Sequence, residues 1–199
     1  AQRAKGVEEV KVMMGKLAQI GASHMAAPPR GDVKNVELLA AAERYRALLE
    51  LSESSGVTPA VELWGFAPNL YRLGQTALVA IEADHPRACI LPDVYHLVKG
   101  GSGFSGIPRL AGSLYGGFHL NDIPKNHPAR EKLTDADRVY PGDGITPLAQ
   151  LLRDLRGVGY AGPLSVELFN PEYYKQDPML VAKTALDKTR AVIATAFEK

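Results

Sequence analysis

The chain has 199 residues, of which 46% are hydrophobic and 23% are charged, and its formal net charge is +1. This composition is typical of a soluble globular protein, and we expect residues 1–199 to form a single domain. The near-zero charge argues against a nucleic-acid partner. No apolar stretch reaches the roughly 20 residues that span a bilayer, so we expect a cytoplasmic protein with no membrane partner.

Five short apolar runs are predicted strands, and segments with helical periodicity separate them. An amphipathic helix opens the sequence. The predicted strands follow within AQIGASHMA, TPAVELWG, ACILPDVYH, LYGGFHLND and GPLSVELFN, and the main predicted helices cover residues 35–54, 69–82, 147–156 and 177–197. This alternation predicts βα units and a parallel sheet.

Four of the predicted strands carry one metal-binding type of side chain each. Glu62 and Glu167 follow apolar runs in PAVELWG and LSVELFN, while Asp93 and His119 belong to the third and fourth strands. Because side chains alternate along a strand, each of the four lies on the face opposite the aliphatic residues. In a parallel α/β barrel, active sites are built at the C-terminal ends of the strands.

Three carboxylates and one imidazole cannot be crowded together without a compensating charge. A divalent ion supplies that charge, and this oxygen-rich ligand set suits Mn²⁺, Mg²⁺ or Co²⁺ better than structural zinc. Taken singly, each carboxylate has an alternative role, because it can also cap a helix or pair with an arginine.

The segments VELWG, DVYH, FHLND, DRVYPGDG and LSVELFN, in this order, resemble the xylose-isomerase-like TIM-barrel superfamily. The resemblance extends from about residue 18 to the C-terminus and is greatest to sugar (phosphate) isomerases and epimerases related to tagatose and psicose 3-epimerases. It implies an α/β fold, the (β/α)8 TIM barrel. It also implies a sugar or sugar derivative as substrate.

The resemblance further implies roles for individual residues. One divalent ion, commonly Mn²⁺, is expected on Glu62, Asp93, His119 and Glu167, and His96 and Arg138 are expected to hold substrate oxygens. Glu62 and Glu167 would be catalytic: one removes the proton next to the carbonyl, an enediolate forms, and the other returns a proton. The rings of Trp64, Phe66 and Phe169 are candidates for the substrate-binding walls, or for simple packing at the mouth of the barrel.

A closed barrel of this type has eight strands and about 250 residues, whereas five strands are predicted here. Matched to the family, they correspond to the fourth to eighth strands, so we expect the given chain to lack the first three βα units. A preceding N-terminal segment or a homo-oligomer would then complete the barrel. The insertion between HLND and DRVYPG is a predicted lid, and the glycine-rich GGSGFSG after His96 is a second one.

Rival functions and weaker candidate residues stay open at this point. The main alternative is a lyase or dehydratase acting on a keto-sugar with the same metal site. A non-catalytic sugar-binding subunit is another, and so is an AP-endonuclease, although Asp137-Arg138-Val139 lacks the histidine of that branch. His24 is a candidate pocket residue at the end of its strand, and Asp122 is a candidate for orienting His119 or reaching substrate.

Overall fold

The computed structural model describes residues 2–31 and 34–198, with the side chains of residues 2 and 3 left aside. Strands and helices alternate along the chain: α1 Gln2–Gln19, β1 His24–Ala27, α2 Leu38–Ser52, β2 Thr58–Glu62, α3 Leu73–Glu82, β3 Ile90–Leu91, α4 Val94–Gly100, β4 Phe118–Leu120, α5 Leu148–Gly157, β5 Leu164–Val166, α6 Pro171–Tyr174 and α7 Pro178–Phe197. Short 3-10 turns lie at Ile107–Arg109, Gly112–Leu114, Arg130–Lys132 and Asp135–Asp137. None of the helices in these ranges is long and apolar enough to cross a bilayer.

The five strands form one parallel arc in chain order. β1, β2 and β3 pair in parallel, as do β4 and β5. Parallel bridges from Ile90 to Tyr115 and from Asp93 to His119 connect the two groups. All five predicted strands are therefore confirmed. Within the described ranges, the outer edges of β1 and β5 pair with no further strand.

The hydrophobic core lies between the outer face of this arc and the helices. Val61, Ile90 and Phe118 are at most 3% exposed and belong to one cluster with side chains of α2, α3 and α5. Ala60 and Leu91 point to the opposite face, where they form a separate small cluster with Cys89. The two faces thus divide as strand alternation predicts, with the thiol of Cys89 buried as a small apolar group.

The sequence pattern missed helix α4, because it extended the strand within ACILPDVYH as far as Asp93 and predicted no helix after it. β3 ends at Leu91, and the Asp93 carboxylate then accepts a hydrogen bond from the backbone N–H of His96, as a helix N-cap does. Gly101 ends the helix in the left-handed conformation, with a φ of 73°. An aspartate before the apolar run and a glycine pair after it were the available signals.

Neither predicted lid is a free loop. In the GGSGFSG segment, the Ser102 hydroxyl accepts a hydrogen bond from the Leu73 N–H at the start of α3, and Phe104 packs against the main core. The later insertion is held to α4, where Lys99 Nζ donates to the carbonyl oxygens of Arg130, Glu131 and Leu133 at 2.9–3.3 Å. Both segments are packed connections.

Candidate metal and active site

Glu62, His119 and Glu167 converge at the C-terminal side of the arc. Glu62 is the last residue of β2, His119 is the middle residue of β4, and Glu167 follows β5 directly. Each offers one ligand atom, and these atoms all lie within 4.8 Å of one another. His119 Nδ1 is 3.3 Å from Glu167 Oε2 and 4.0 Å from Glu62 Oε1. Three of the four predicted metal ligands are thus brought together.

Asp93 lies beside this group but is engaged elsewhere. Its side chain is fully buried, and Oδ2 is 3.8 Å from His119 Nδ1. Oδ1 caps α4, while Oδ2 accepts hydrogen bonds from Arg138 Nη1 at 2.8 Å and from Asn121 Nδ2 at 3.0 Å. The alternative roles of a strand-end carboxylate, helix capping and pairing with arginine, are both realised here. A place for Asp93 as a fourth metal ligand stays a prediction.

Arg138 is the central cation of the site, and its side chain is only 1% exposed. Nη1 bridges Asp93 Oδ2 and Glu167 Oε2 at 2.8 and 2.9 Å, and Nε and Nη2 both donate to Asp135 Oδ1. The guanidinium carbon lies 4.6 Å from the ring centroid of Tyr95. These contacts fix a permanent positive charge among three carboxylates, which is the arrangement that a buried guanidinium requires.

His96 and two aromatic rings line one side of the site. His96 Nε2 is 3.3 Å from Arg138 Nη2, and its Nδ1 is buried without a hydrogen-bond partner. The Phe66 ring meets the ring of His96 edge-on at 5.9 Å, and Trp64 contacts Phe66 edge-on at 6.4 Å. Trp64 is half-buried and Phe66 is exposed, so these rings form a partly open apolar wall next to an imidazole. Contacts thus connect the three predicted substrate-binding residues, from Trp64 through Phe66 to His96 and from His96 to Arg138, and their role in binding substrate stays a prediction.

Burial and neighbouring charges together shift the pKa values of the two glutamates in opposite directions. Burial raises the pKa of Glu62 to about 7, and repulsion from Glu167 and Asp93 acts in the same direction, against the attraction of His119. Burial also acts to raise the pKa of Glu167, but His119 and Arg138 outweigh it and lower that pKa to about 2. For His119, burial lowers the pKa, yet the neighbouring carboxylates, Glu167 above all, raise it on balance. The carboxylates of the site therefore carry more negative charge than Arg138 and His119 compensate.

These observations fit a divalent ion. The buried Nδ1 of His119 makes no hydrogen bond, although three carboxylates lie within 4.0 Å of it. A buried polar atom without a partner is costly, and an imidazole nitrogen beside two carboxylate oxygens is a usual donor set for a divalent metal. Glu62, His119 and Glu167 are the residues that can hold it.

Two weaker predictions are wrong, and two site residues were missed. His24 begins β1 rather than ending it, so its predicted position is wrong; it nevertheless lines a cavity of about 170 Å³ together with His119, and its role as a pocket residue stays a prediction. Asp122 does not contact His119, because its carboxylate binds the loop that follows Arg138. The missed residues are Asp135 and Tyr95. Only Asp135 had a signal, since it precedes Arg138 by three residues in a helical turn.

The sequence profile of the Xylose isomerase-like TIM barrel family matches residues 1–192. The chain belongs to this family. The arc of parallel strands is accordingly part of a TIM barrel, as the sequence motifs predicted.

Individual relatives narrow the enzyme class. An inosose isomerase of Bacillus velezensis is 30% identical over 200 residues, which cover 97% of this chain and 70% of that protein. The crystal structure of IolI protein with a binding zinc atom matches with a TM-score of 0.86 and 27% identity, over 97% of this chain and 70% of that one. A 3-dehydroshikimate dehydratase of Pseudomonas putida is 29% identical over 54% of this chain and 16% of that protein. The chain is thus an enzyme of the sugar isomerase class, and it spans about 70% of the length of the inosose isomerase.

Proposed function

We propose that the protein is a divalent-metal-dependent isomerase or epimerase of a keto-sugar or a cyclic polyol ketone such as inosose. The observation that carries this proposal is the convergence of Glu62, His119 and Glu167 at the C-terminal side of a parallel arc. The likeness to inosose isomerases over nearly the whole chain supports the substrate class.

Glu62, His119 and Glu167 would hold the ion, with Asp93 as the proposed fourth ligand. We propose manganese, because three carboxylates and one imidazole form a mostly hard ligand set. Zinc is the alternative that the IolI structure suggests. When bound, a divalent ion supplies positive charge beside the substrate oxygens on which negative charge develops.

The chain's own residues would move the proton. One glutamate carboxylate takes the proton from the carbon next to the carbonyl, and the electron pair of the broken C–H bond forms the C=C bond of an enediolate. The other glutamate then gives a proton to one of the two enediolate carbons. Reprotonation of the former carbonyl carbon gives an isomer once the proton of the neighbouring hydroxyl has moved to the former carbonyl oxygen. Reprotonation of the original carbon on its other face gives an epimer. His96 and Arg138 would hold substrate hydroxyl groups, while Trp64 and Phe66 pack against C–H faces.

Turnover in heavy water tests this mechanism. The purified protein, reloaded with Mn²⁺ or Zn²⁺, is incubated with inosose in D₂O and followed by NMR. We expect deuterium at the carbon next to the carbonyl together with an isomeric product, and loss of both in Glu167→Gln. A metal-loaded protein that exchanges no proton on inosose or on any of a set of ketoses would contradict the proposal.

A dehydratase is the second candidate, and the dehydratase relative favours it. The first step would be the same proton removal, after which the electron pair expels a β-hydroxyl group; the other glutamate protonates this group, which leaves as water, and an enone remains. The same NMR experiment separates the two activities. An olefinic proton signal and ultraviolet absorbance of the product would indicate dehydration, whereas their absence beside deuterium exchange indicates isomerisation.

A further inference from the structure

The Asp122 carboxylate is buried and receives only neutral donors. Asp122 is 1% exposed, and it forms no ion pair with the described lysines, arginines or histidines. Oδ1 accepts hydrogen bonds from the N–H of Ile123 and from the N–H and hydroxyl of Thr146, and Oδ2 accepts from the N–H groups of Gly142 and Gly144. A buried carboxylate is stable in such a ring of N–H and O–H donors. Four of these five donors lie between residues 142 and 146.

Other contacts of the 142–146 segment are the hydrogen bonds from the Ile145 N–H to the Ile123 carbonyl and from the Asp143 N–H to the Tyr140 carbonyl, and the ion pair of Asp143 with Lys188 of α7. A cavity of about 390 Å³ also lies between the segment and α7. Gly142 adopts a φ of 89°, and a Cβ atom on Gly144 would lie 2.2 Å from the Ile123 carbonyl oxygen and 2.4 Å from Asp122 Oδ1. The backbone is thus shaped closely around the Asp122 carboxylate.

The same residue also connects to the arginine of the site. The backbone N–H and carbonyl of Asp122 pair with those of Val139 at 2.9 and 3.1 Å, and Val139 directly follows Arg138. The Arg138 carbonyl is held from the other side by Asn170 Nδ2 at 3.0 Å. We propose that Asp122 is a positioning residue: by clamping residues 139–146, it sets where the Arg138 guanidinium meets Asp93 and Glu167.

The Nε–H group of Arg138 reports on this position without any need for turnover. It donates to Asp135 Oδ1 at 3.1 Å in a buried site, so its NMR signal should be sharp and slow to exchange with solvent. Arg138→Lys assigns the signal by removing it. In Asp122→Asn, an amide NH₂ replaces an acceptor and faces backbone donors. We expect the exchange rate of the Arg138 signal to rise on the order of tenfold as the segment opens.

Asp143→Asn is the matched control. Asp143 lies in the same segment, but its carboxylate is exposed and binds Lys188, so this variant should leave the Arg138 signal unchanged. An Asp122→Asn protein that folds and keeps the protected Arg138 signal would overturn the proposal. If Asp122→Asn fails to fold, Thr146→Val decides. It removes one donor to the same carboxylate, and an unchanged Arg138 signal in that variant overturns the proposal equally.

A turnover measurement adds a second test, which rests on the proposed isomerase activity. If Asp122 acts through Arg138, Asp122→Asn should lower kcat/KM in the wild-type background but not further in Arg138→Lys. An equal loss in both backgrounds would show an independent role and contradict the proposal. A wild-type protein inactive on inosose and on the set of ketoses would contradict the proposed function, while the NMR result would still decide the role of Asp122.

Discussion

Burial determines which charged residues of the site need a partner of opposite charge. Asp93 and Arg138 are almost completely buried, so each needs the other's charge, whereas Glu167 is 28% exposed and keeps access to solvent. Glu62 is nearly buried and lacks a cationic partner closer than His119. Carboxylates in such different surroundings suit different tasks: Asp93 and Glu167 both bind Arg138, whereas Glu62 has no arginine partner.

Metal binding should depend on all three converging residues. We expect one divalent ion per chain, and His119→Ala or Glu167→Ala should lower its affinity strongly. Because both residues would bind one ion, the second substitution should lower the metal affinity by less than the first. Glu172→Gln, on the exposed turn after β5, is the control that should retain the ion. Metal analysis and titration measure the effect, and full occupancy in a Glu62→Ala, Glu167→Ala double variant would disprove the site.

Removal of the Arg138 charge should lower the free energy of unfolding, whereas the metal should stay bound. Arg138→Met leaves the fully buried Asp93 carboxylate without its cation, which should cost about 3–5 kcal/mol in the free energy of unfolding. Arg130→Met removes an exposed cation paired with Glu131 and should change stability by less than about 1 kcal/mol. Urea unfolding compares the two variants. Equal stabilities, or loss of the metal in Arg138→Met, would contradict these assignments.

At the scale of elements, a single tyrosine on α2 fastens two strands. Tyr45 is buried, and its hydroxyl lies 2.8 Å from the Pro59 carbonyl oxygen of β2 and 2.9 Å from the Cys89 carbonyl oxygen just before β3. It also accepts a hydrogen bond from the Cys89 N–H at 3.0 Å. The helix thereby fixes the spacing of β2, which ends at Glu62, and β3, which is followed by Asp93.

Tyr45→Phe should therefore weaken the fold. The substitution leaves the buried Cys89 N–H without its acceptor, and an unpaired buried donor costs about 1–3 kcal/mol. Tyr174→Phe also removes one hydrogen-bonded hydroxyl, to the Leu168 carbonyl, but on an exposed side chain, and should cost much less. Thermal and urea unfolding measure both. Equal losses in the two variants would mean that the Tyr45 hydroxyl does not fasten the strands.

At the scale of the whole molecule, the arc of five strands exposes what a closed barrel buries. The inward-facing His24 and Ala26 of β1 and Ser165 of β5 are exposed. An apolar groove of about 610 Å³ also lies between β5 and α7, lined in part by Leu164, Val166 and Leu186. Unpaired strand edges beside apolar surface favour pairing with further chain.

We therefore predict that the 199-residue chain by itself associates with other copies as its concentration rises. Ser165→Lys and Ala26→Lys place charges at the two open edges and should shift the association to higher concentration. Glu172→Lys changes charge on an exposed turn and serves as the control. Sedimentation velocity measures the change. A concentration range of about a hundredfold resolves weak self-association. A wild-type chain that stays monomeric over that range would contradict the prediction.

The sequence by itself determined the strands, their faces and three of the residues that meet at the site. Strand alternation and apolar runs are local properties, and they sufficed to place Glu62, His119 and Glu167 on one side of the arc. Ordered short motifs were enough to indicate the family.

Only the tertiary structure decided how the remaining polar residues are paired. Asp93 contacts an arginine 45 residues away, and Asp122 binds a segment 20 to 24 residues away rather than His119. Asp93 also accepts a hydrogen bond from Asn121, which lies 28 residues away. Such partners depend on how separate βα units pack against one another, and hydrophobic periodicity carries no information about which donor reaches a buried carboxylate.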